Sequence, residues 1–143
     1  MLKNSTFMPK SINFPTIPIK PVTKIETVPT DKDLTFRYKG LTKLTDISVL
    51  SQFDGPTKLN GTFAFCQSLK DISPLKNWDT SKCSDFTCCF MNCSQLSDIK
   101  PLENWNVKGT VKYMFKGTSV KDFSPLLKWF PNKSIEEIVK MVC

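Results

Sequence analysis

Apolar residues return in a fixed order along the second half of the chain. Asp46-Ile47, Asp71-Ile72, Asp98-Ile99 and Asp122-Phe123 correspond, at steps of 25, 27 and 24 residues. Leu44, Leu69, Leu96 and Val120 precede them, Leu50, Leu75, Leu102 and Leu126 follow, and Phe53, Trp78, Trp105 and Trp129 come three residues later. Self-similarity at a period of roughly 20 to 50 residues marks a repeat architecture. A unit this small cannot bury its own apolar face, so it must stack on its neighbours.

Within a unit, Leu69-Lys70-Asp71-Ile72 is too short for a helix. Stacked on Leu96-Ser97-Asp98-Ile99, it reads as one rung of a parallel sheet. Ser73-Pro74 offers an N-cap and a first-turn proline, which would set Leu75 and Trp78 on one face of a helical turn. Phe86, Cys89 and Phe90, at i, i+3 and i+4, predict a second helical turn. Leu59, Thr62, Phe63 and Val111, Met114, Phe115 repeat that spacing. Ser134 and Glu137 have capping-box spacing, and Ile135, Ile138, Val139 and Val142 share one apolar face, so a C-terminal helix should close the open end. The expected fold class is an α/β repeat, a short solenoid with one short parallel strand and short helical turns per coil.

Before Gly40 the pattern differs. Pro9, Pro15, Pro18, Pro21 and Pro29, half of the 10 prolines, stand among Ile12, Phe14, Ile17, Ile19, Val22, Ile25 and Val28. Proline removes amide donors and biases its predecessor to extended geometry, which excludes a helix or a central strand. The expected organisation is an extended Pro-rich arm over 1–39, repeats over 40–130 (about 40–67, 68–93, 94–117 and 118–130) and a capping helix over 131–143. Apolar arm residues would leave wet surface unless covered, either by the chain's own repeats or by a neighbouring subunit. We favour the neighbour, which makes Phe14, Ile17, Ile19, Lys20, Val22 and Lys24 the candidate partner-binding residues. On that reading, deleting 1–39 leaves the repeats folded.

The run Leu69-Lys70-Asp71-Ile72-Ser73-Pro74-Leu75-Lys76-Asn77-Trp78-Asp79-Thr80-Ser81-Lys82, followed by Phe86, Phe90 and Cys93, resembles the BspA-like leucine-rich repeats, also catalogued as a mycoplasma-type domain of unknown function. The resemblance covers about Gly40 to Phe130. It implies a leucine-rich-repeat-like solenoid, of the kind found in bacterial surface proteins, mycoplasmas, protists and large DNA viruses, and it specifies no ligand. Trp105 to Phe115 is two residues shorter than Trp78 to Phe90, Phe53 stands for tryptophan in the first unit, and the last unit loses its second turn.

Composition narrows the chemistry. The chain has 143 residues, 40% of them hydrophobic, a net charge of +7 and no histidine. The usual general base and commonest metal ligand are therefore missing, and no enzymatic activity is expected. Neither a secretory leader nor a membrane span is apparent, so cytoplasmic synthesis without a secretion signal is expected, with a virion as a further location. The first 39 residues hold +4 of the charge, but their lysines are spaced out rather than clustered, and nucleic acid is not expected as a partner.

Cys83, Cys88, Cys89 and Cys93 lack paired metal-site spacing, and Cys66 and Cys93 share a repeat position, so buried thiols are expected and no metal. The row Asp46, Asp71, Asp98 and Asp122 reads as side chains bonding local amides. Trp78, Trp105 and Trp129 read as core pillars. No phosphate-binding glycine loop occurs, and no cofactor is expected. The function expected is protein–protein interaction or scaffolding, with other proteins, subunits of a large assembly, as partners. The chain would be a minor structural component of an assembly such as a virus capsid, tethered by the arm. The alternatives are a surface adhesin or a cytosolic regulator using the solenoid face.

Overall fold

The computed structural model describes residues 20–143. Where a second helical turn is expected, the backbone forms a ribbon of overlapping tight turns. In the first unit the amides of Arg37, Lys39 and Leu41 donate back to the carbonyls of Leu34, Phe36 and Tyr38. The alternate amides of Leu34, Phe36, Tyr38 and Gly40 donate sideways to the carbonyls of Lys58, Asn60, Thr62 and Ala64, at 2.8–3.0 Å. Leu59, Gly61, Phe63 and Phe65 donate likewise to Asp85, Thr87, Cys89 and Met91, and Phe86, Cys88, Phe90 and Asn92 to Thr110, Lys112, Met114 and Lys116.

Two residues of each ribbon are left-handed: Phe36 and Gly40, Gly61 and Phe65, Cys88 and Asn92, Tyr113 and Gly117, with φ between 55° and 79°. Tight turns place such a residue third, whereas a right-handed helix admits none. The spacing of Phe86, Cys89 and Phe90 therefore reports a turn ribbon whose inward positions happen to match helical ones.

The strand expectation also fails. Among the described residues there is no β-strand or sheet; extended pairing is limited to the isolated parallel bridges Lys24–Asp46, Asp33–Lys58 and Asp85–Thr110. Helical structure among the described residues is limited to 3₁₀ turns at Ser48–Gln52, Ser73–Leu75, Lys100–Leu102 and Ser124–Lys128 and to one α-helix, α1, Ile135–Val142. The architecture is therefore not an α/β leucine-rich-repeat-like solenoid. The cause lies in the rung itself. The Leu69 amide turns back to Cys66, and Ile72, at φ −107° and ψ 15°, already leads into a 3₁₀ turn. No run of alternate amides is left there to pair with a neighbour.

Each 3₁₀ turn follows an aspartate. Oδ1 of Asp46, Asp71, Asp98 and Asp122 accepts the amide of Ser48, Ser73, Lys100 and Ser124, at 2.9–3.0 Å. Ser73 thus lies inside its turn, and Asp71 is the side chain that satisfies the turn's entry.

Successive units lie face to face. Tyr38, Phe63, Phe90 and Phe115 form one ladder, with ring centroids 5.5, 5.5 and 5.7 Å apart. Trp78, Trp105 and Trp129 form a second, at 6.1 and 6.4 Å, with Phe53 edge-on at its start. Each indole Nε1–H donates to the previous unit's carbonyl: Trp78 to Leu50, Trp105 to Leu75 and Trp129 to Leu102, at 2.8–2.9 Å. The leucine columns between the ladders are fully buried. Each such side chain contributes about 1.5–3 kcal/mol by leaving water.

At the far end, Ser134 and Glu137 form the expected capping box of α1, and Ile138 and Val142 are buried. Ile135, expected on the same face, is 37% exposed. The Val142 carbonyl accepts the Phe115 amide at 2.9 Å, the place a following unit would fill.

At the near end the division at residue 39 is not a packing boundary. Ile25, Leu34 and Tyr38 are buried in the common core, and the ribbon Leu34–Leu41 crosses the division. The Ile25 amide donates to Asp46, and the Thr23 carbonyl accepts the Thr45 and Asp46 amides. Proline excludes helix and central strand, but Pro21 and Pro29 leave Thr23–Ile25 free to pair at an edge. Phe14, Ile17 and Ile19 lie outside the described residues.

Deleting residues 1–39 is therefore expected to destabilise the protein by several kcal/mol, as large-to-small core losses do, and urea denaturation should show an early or absent transition. A second expectation concerns acid. Hydrogen bonding from Ser48, Ser73 and Ser124 lowers the carboxyls of Asp46, Asp71 and Asp122 from their ordinary value of 3.8. The unfolded chain then binds protons first, so stability is whole above that value and is lost as pH falls through the lower native ones. Melting temperature should be flat down to about pH 5 and fall below about pH 4. Asp→Asn at the three positions, which keeps the acceptor, should flatten that fall.

Candidate protein-binding face

The ribbons set the outer face. The first left-handed residue of each ribbon, Phe36, Gly61, Cys88 and Tyr113, occupies one row across the units, and Lys39, Ala64, Met91 and Lys116 occupy the row beside it. Phe36 is 53% exposed and Tyr113 is 38% exposed. Phe65, Cys88 and Met91 are half-buried between them. The Phe36 ring lies across Gly61: a Cβ there would come within 2.5 Å of the ring. A strip of apolar surface therefore runs across four units with an aromatic side chain at either end.

Cations border both ends. Lys39 Nζ stands 4.9 Å from the Phe36 ring centroid, and Lys112 and Lys116 stand 5.1 and 4.7 Å from that of Tyr113. The exposed Arg37 lies instead over the Tyr38 ring, 5.8 Å from its centroid, at the opening end of the inner ladder. Three residues before Phe36 and Cys88 stand Asp33 and Asp85, which accept hydrogen bonds from residues of their own turns, Thr35 and Thr87, and have Lys58 as a neighbouring cation. At the last unit the amides of Tyr113 and Gly117 have no protein acceptor among the described residues, although their counterparts in earlier units donate to the next ribbon.

Left-handed backbone is strained for any residue with a Cβ, by about 1–2 kcal/mol. Glycine fills three of the eight such positions, Gly40, Gly61 and Gly117. Phe36 and Tyr113 carry the strain while leaving much of their large rings in water, so the packing they return to the fold is only partial. Strain kept without a full structural return is characteristic of functional surface. These two residues, with Lys39, Lys112 and Lys116, were not singled out from sequence. The signal available was an aromatic at a repeat position where another unit has glycine.

Of the residues expected to bind a partner, Lys20, Val22 and Lys24 are exposed, Val22 at 46%. They lie at the opening segment, next to the Thr23–Asp46 pairing, and the structure does not bring them onto the strip as a group.

Other chemistry is accounted for locally. Cys66, Cys83, Cys89 and Cys93 are buried, and burial pushes Cys66 and Cys83 up to about 11 and Cys89 well above its ordinary value. These thiols are protonated at neutral pH and poor nucleophiles. Cys66 and Cys93 donate to the carbonyls of Tyr38 and Phe63, at 3.2 and 3.0 Å, as inter-unit links. A cleft of about 300 Å³ runs between Asp98 and Asp122, lined also by Ser97, Lys100 and Glu103, and both aspartates already accept local amides. Among the described residues no three Cys, Asp or Glu side chains converge on a common metal position. No helix among them is long and apolar enough to cross a membrane.

No curated protein and no solved structure matches the chain. One family model does match, over residues 40–142, and it covers all the stacked units except the opening residues of the first, together with the closing helix. The chain accordingly belongs to the family described as Mycoplasma protein of unknown function, DUF285.

Proposed function

We propose that this protein is a non-catalytic protein–protein interaction element, a scaffolding or minor structural component of a larger assembly, and that it engages its partner through the strip from Phe36 to Tyr113. A virus particle is one such assembly. The observation that carries the reading is the pair of exposed aromatic rings held on left-handed backbone. An exposed aromatic on a rigid element supplies contact area at low entropic cost, and aromatic side chains dominate binding energy where they occur. Membership of the family, and the finer BspA-like resemblance within it, support a repeat-built binding module without naming its ligand. The exposed Lys20, Val22 and Lys24 support a secondary role for the opening segment as a tether, at the Asp46 edge and apart from the strip.

The test separates binding from folding. Asparagine adopts left-handed backbone readily, and Asn92 already does so in this chain. Phe36→Asn combined with Tyr113→Asn is therefore expected to change stability by no more than about 1 kcal/mol while removing both rings. In the native source, the double variant should lose stoichiometric co-purification with the assembly that retains the unaltered chain. A photo-crosslinker at position 36 or 113 should mark the partner, and one at Ser97, on the aspartate edge, should not. Undiminished co-purification of the double variant would sink the proposal.

A further inference from the structure

Resting on that reading, we infer that the partner presents an extended acidic segment with apolar side chains, laid across the units from Lys39 to Lys112 and Lys116. Two observations at the strip agree on this chemistry.

The first is charge. The cations next to the exposed rings are Lys39 at one end and Lys112 and Lys116 at the other. Asp33 and Asp85, three residues before Phe36 and Cys88, are occupied by their own turns. An occupant with acidic groups near its ends meets a favourable potential at both, and a basic occupant is repelled at both. The second is the apolar middle. Between the rings the surface is made by Cys88, Met91 and Phe65, half-buried and uncharged, and methionine adapts its shape to apolar side chains.

Single-stranded nucleic acid also joins aromatic stacking to cationic grooves. It fits less well. A phosphate backbone carries charge at every step, including across the uncharged middle made by Cys88, Met91 and Phe65. A peptide can place its acids only where the lysines are.

The experiment is a random-peptide display selection on the full-length protein, with Phe36→Asn/Tyr113→Asn protein as the counter-selection. Enriched peptides should carry net negative charge and at least one aromatic or aliphatic residue. A synthetic peptide of the enriched sequence should bind at least 10-fold more weakly to Lys39→Glu/Lys112→Glu/Lys116→Glu protein and at raised salt, and more tightly than oligothymidine of 20 nucleotides binds. Lys→Arg at the same three positions should restore binding, which a merely folding-related effect would not predict. Enriched peptides with no charge bias, charge reversal without effect, or tighter binding of the oligonucleotide would each overturn the inference. So would concentration-dependent self-association abolished by the Asn substitutions, which would give the strip to a second copy of this chain. If crosslinks from positions 36 and 113 persist while charge reversal has no effect, the face stands as an interface and only its acidic partner is lost.

Discussion

Everything in this structure depends on how a ribbon of turns divides its amides. Half of them close turns inside the unit, and the other half point sideways and must find carbonyls on the next unit. A buried amide without a partner costs more than a typical hydrogen bond contributes, so a ribbon is stable only beside another ribbon. That requirement gives the stack a direction, because amides lead and carbonyls follow. It also creates an end that must be closed. At Phe115, α1 meets the requirement with the carbonyl of Val142, so the helix supplies at its C-terminus one acceptor that a fifth unit would have supplied.

The side chains are placed by the same rule. Ribbons in register bring Tyr38, Phe63, Phe90 and Phe115 directly over one another, with the last two pairs only 3° and 2° from parallel. The indoles then tie the opposite edge, each Nε1–H reaching back one unit. The two ladders link the units in opposite senses along the chain, ribbon amides forward and indoles backward. A slip of register would break both sets at once. Gly55 and Gly109 mark where the backbones come closest, since a Cβ on either would lie 2.0 or 2.2 Å from the carbonyl oxygen of Asp79 or Ser84.

Much of this was legible in the sequence and some was not, for identifiable reasons. The period, the buried columns, the tryptophan pillars, the aspartate-to-amide bonds and the capping box at Ser134 all follow from residue type and spacing, and each is present. The secondary structure inside a unit was misread because Phe86, Cys89 and Phe90 have the same spacing on a turn ribbon as on a helix, and side-chain periodicity does not sense the sign of φ at Cys88. The segment Leu69–Ile72 reads as a strand rung because it is too short for a helix and recurs in each unit, but Asp71 takes the amide of Ser73 and starts a turn there. The opening segment reads as separate because half of the prolines fall within it. Composition is an average, and Ile25, Leu34 and Tyr38 are individual residues that the first unit needs.

The face from Phe36 to Tyr113 escaped the sequence reading for a related reason. Repeat analysis looks for positions that agree, and this row holds Phe, Gly, Cys and Tyr, which agree in nothing but backbone conformation. Once φ is known, the disagreement becomes informative. Gly61 shows what the position asks for when only the fold is at stake, and it leaves room for the ring of Phe36 to lie flat across it. A chain under pressure only to fold would have little reason to put rings at the two ends of that row. The middle of the row is kept low and the ends are kept high and cationic, which shapes a shallow seat rather than a uniform surface. Local misfit between residue and backbone, set against a neighbour in the same row that fits, is the feature that distinguishes this face from the aspartate edge, where every unusual residue has a partner that explains it.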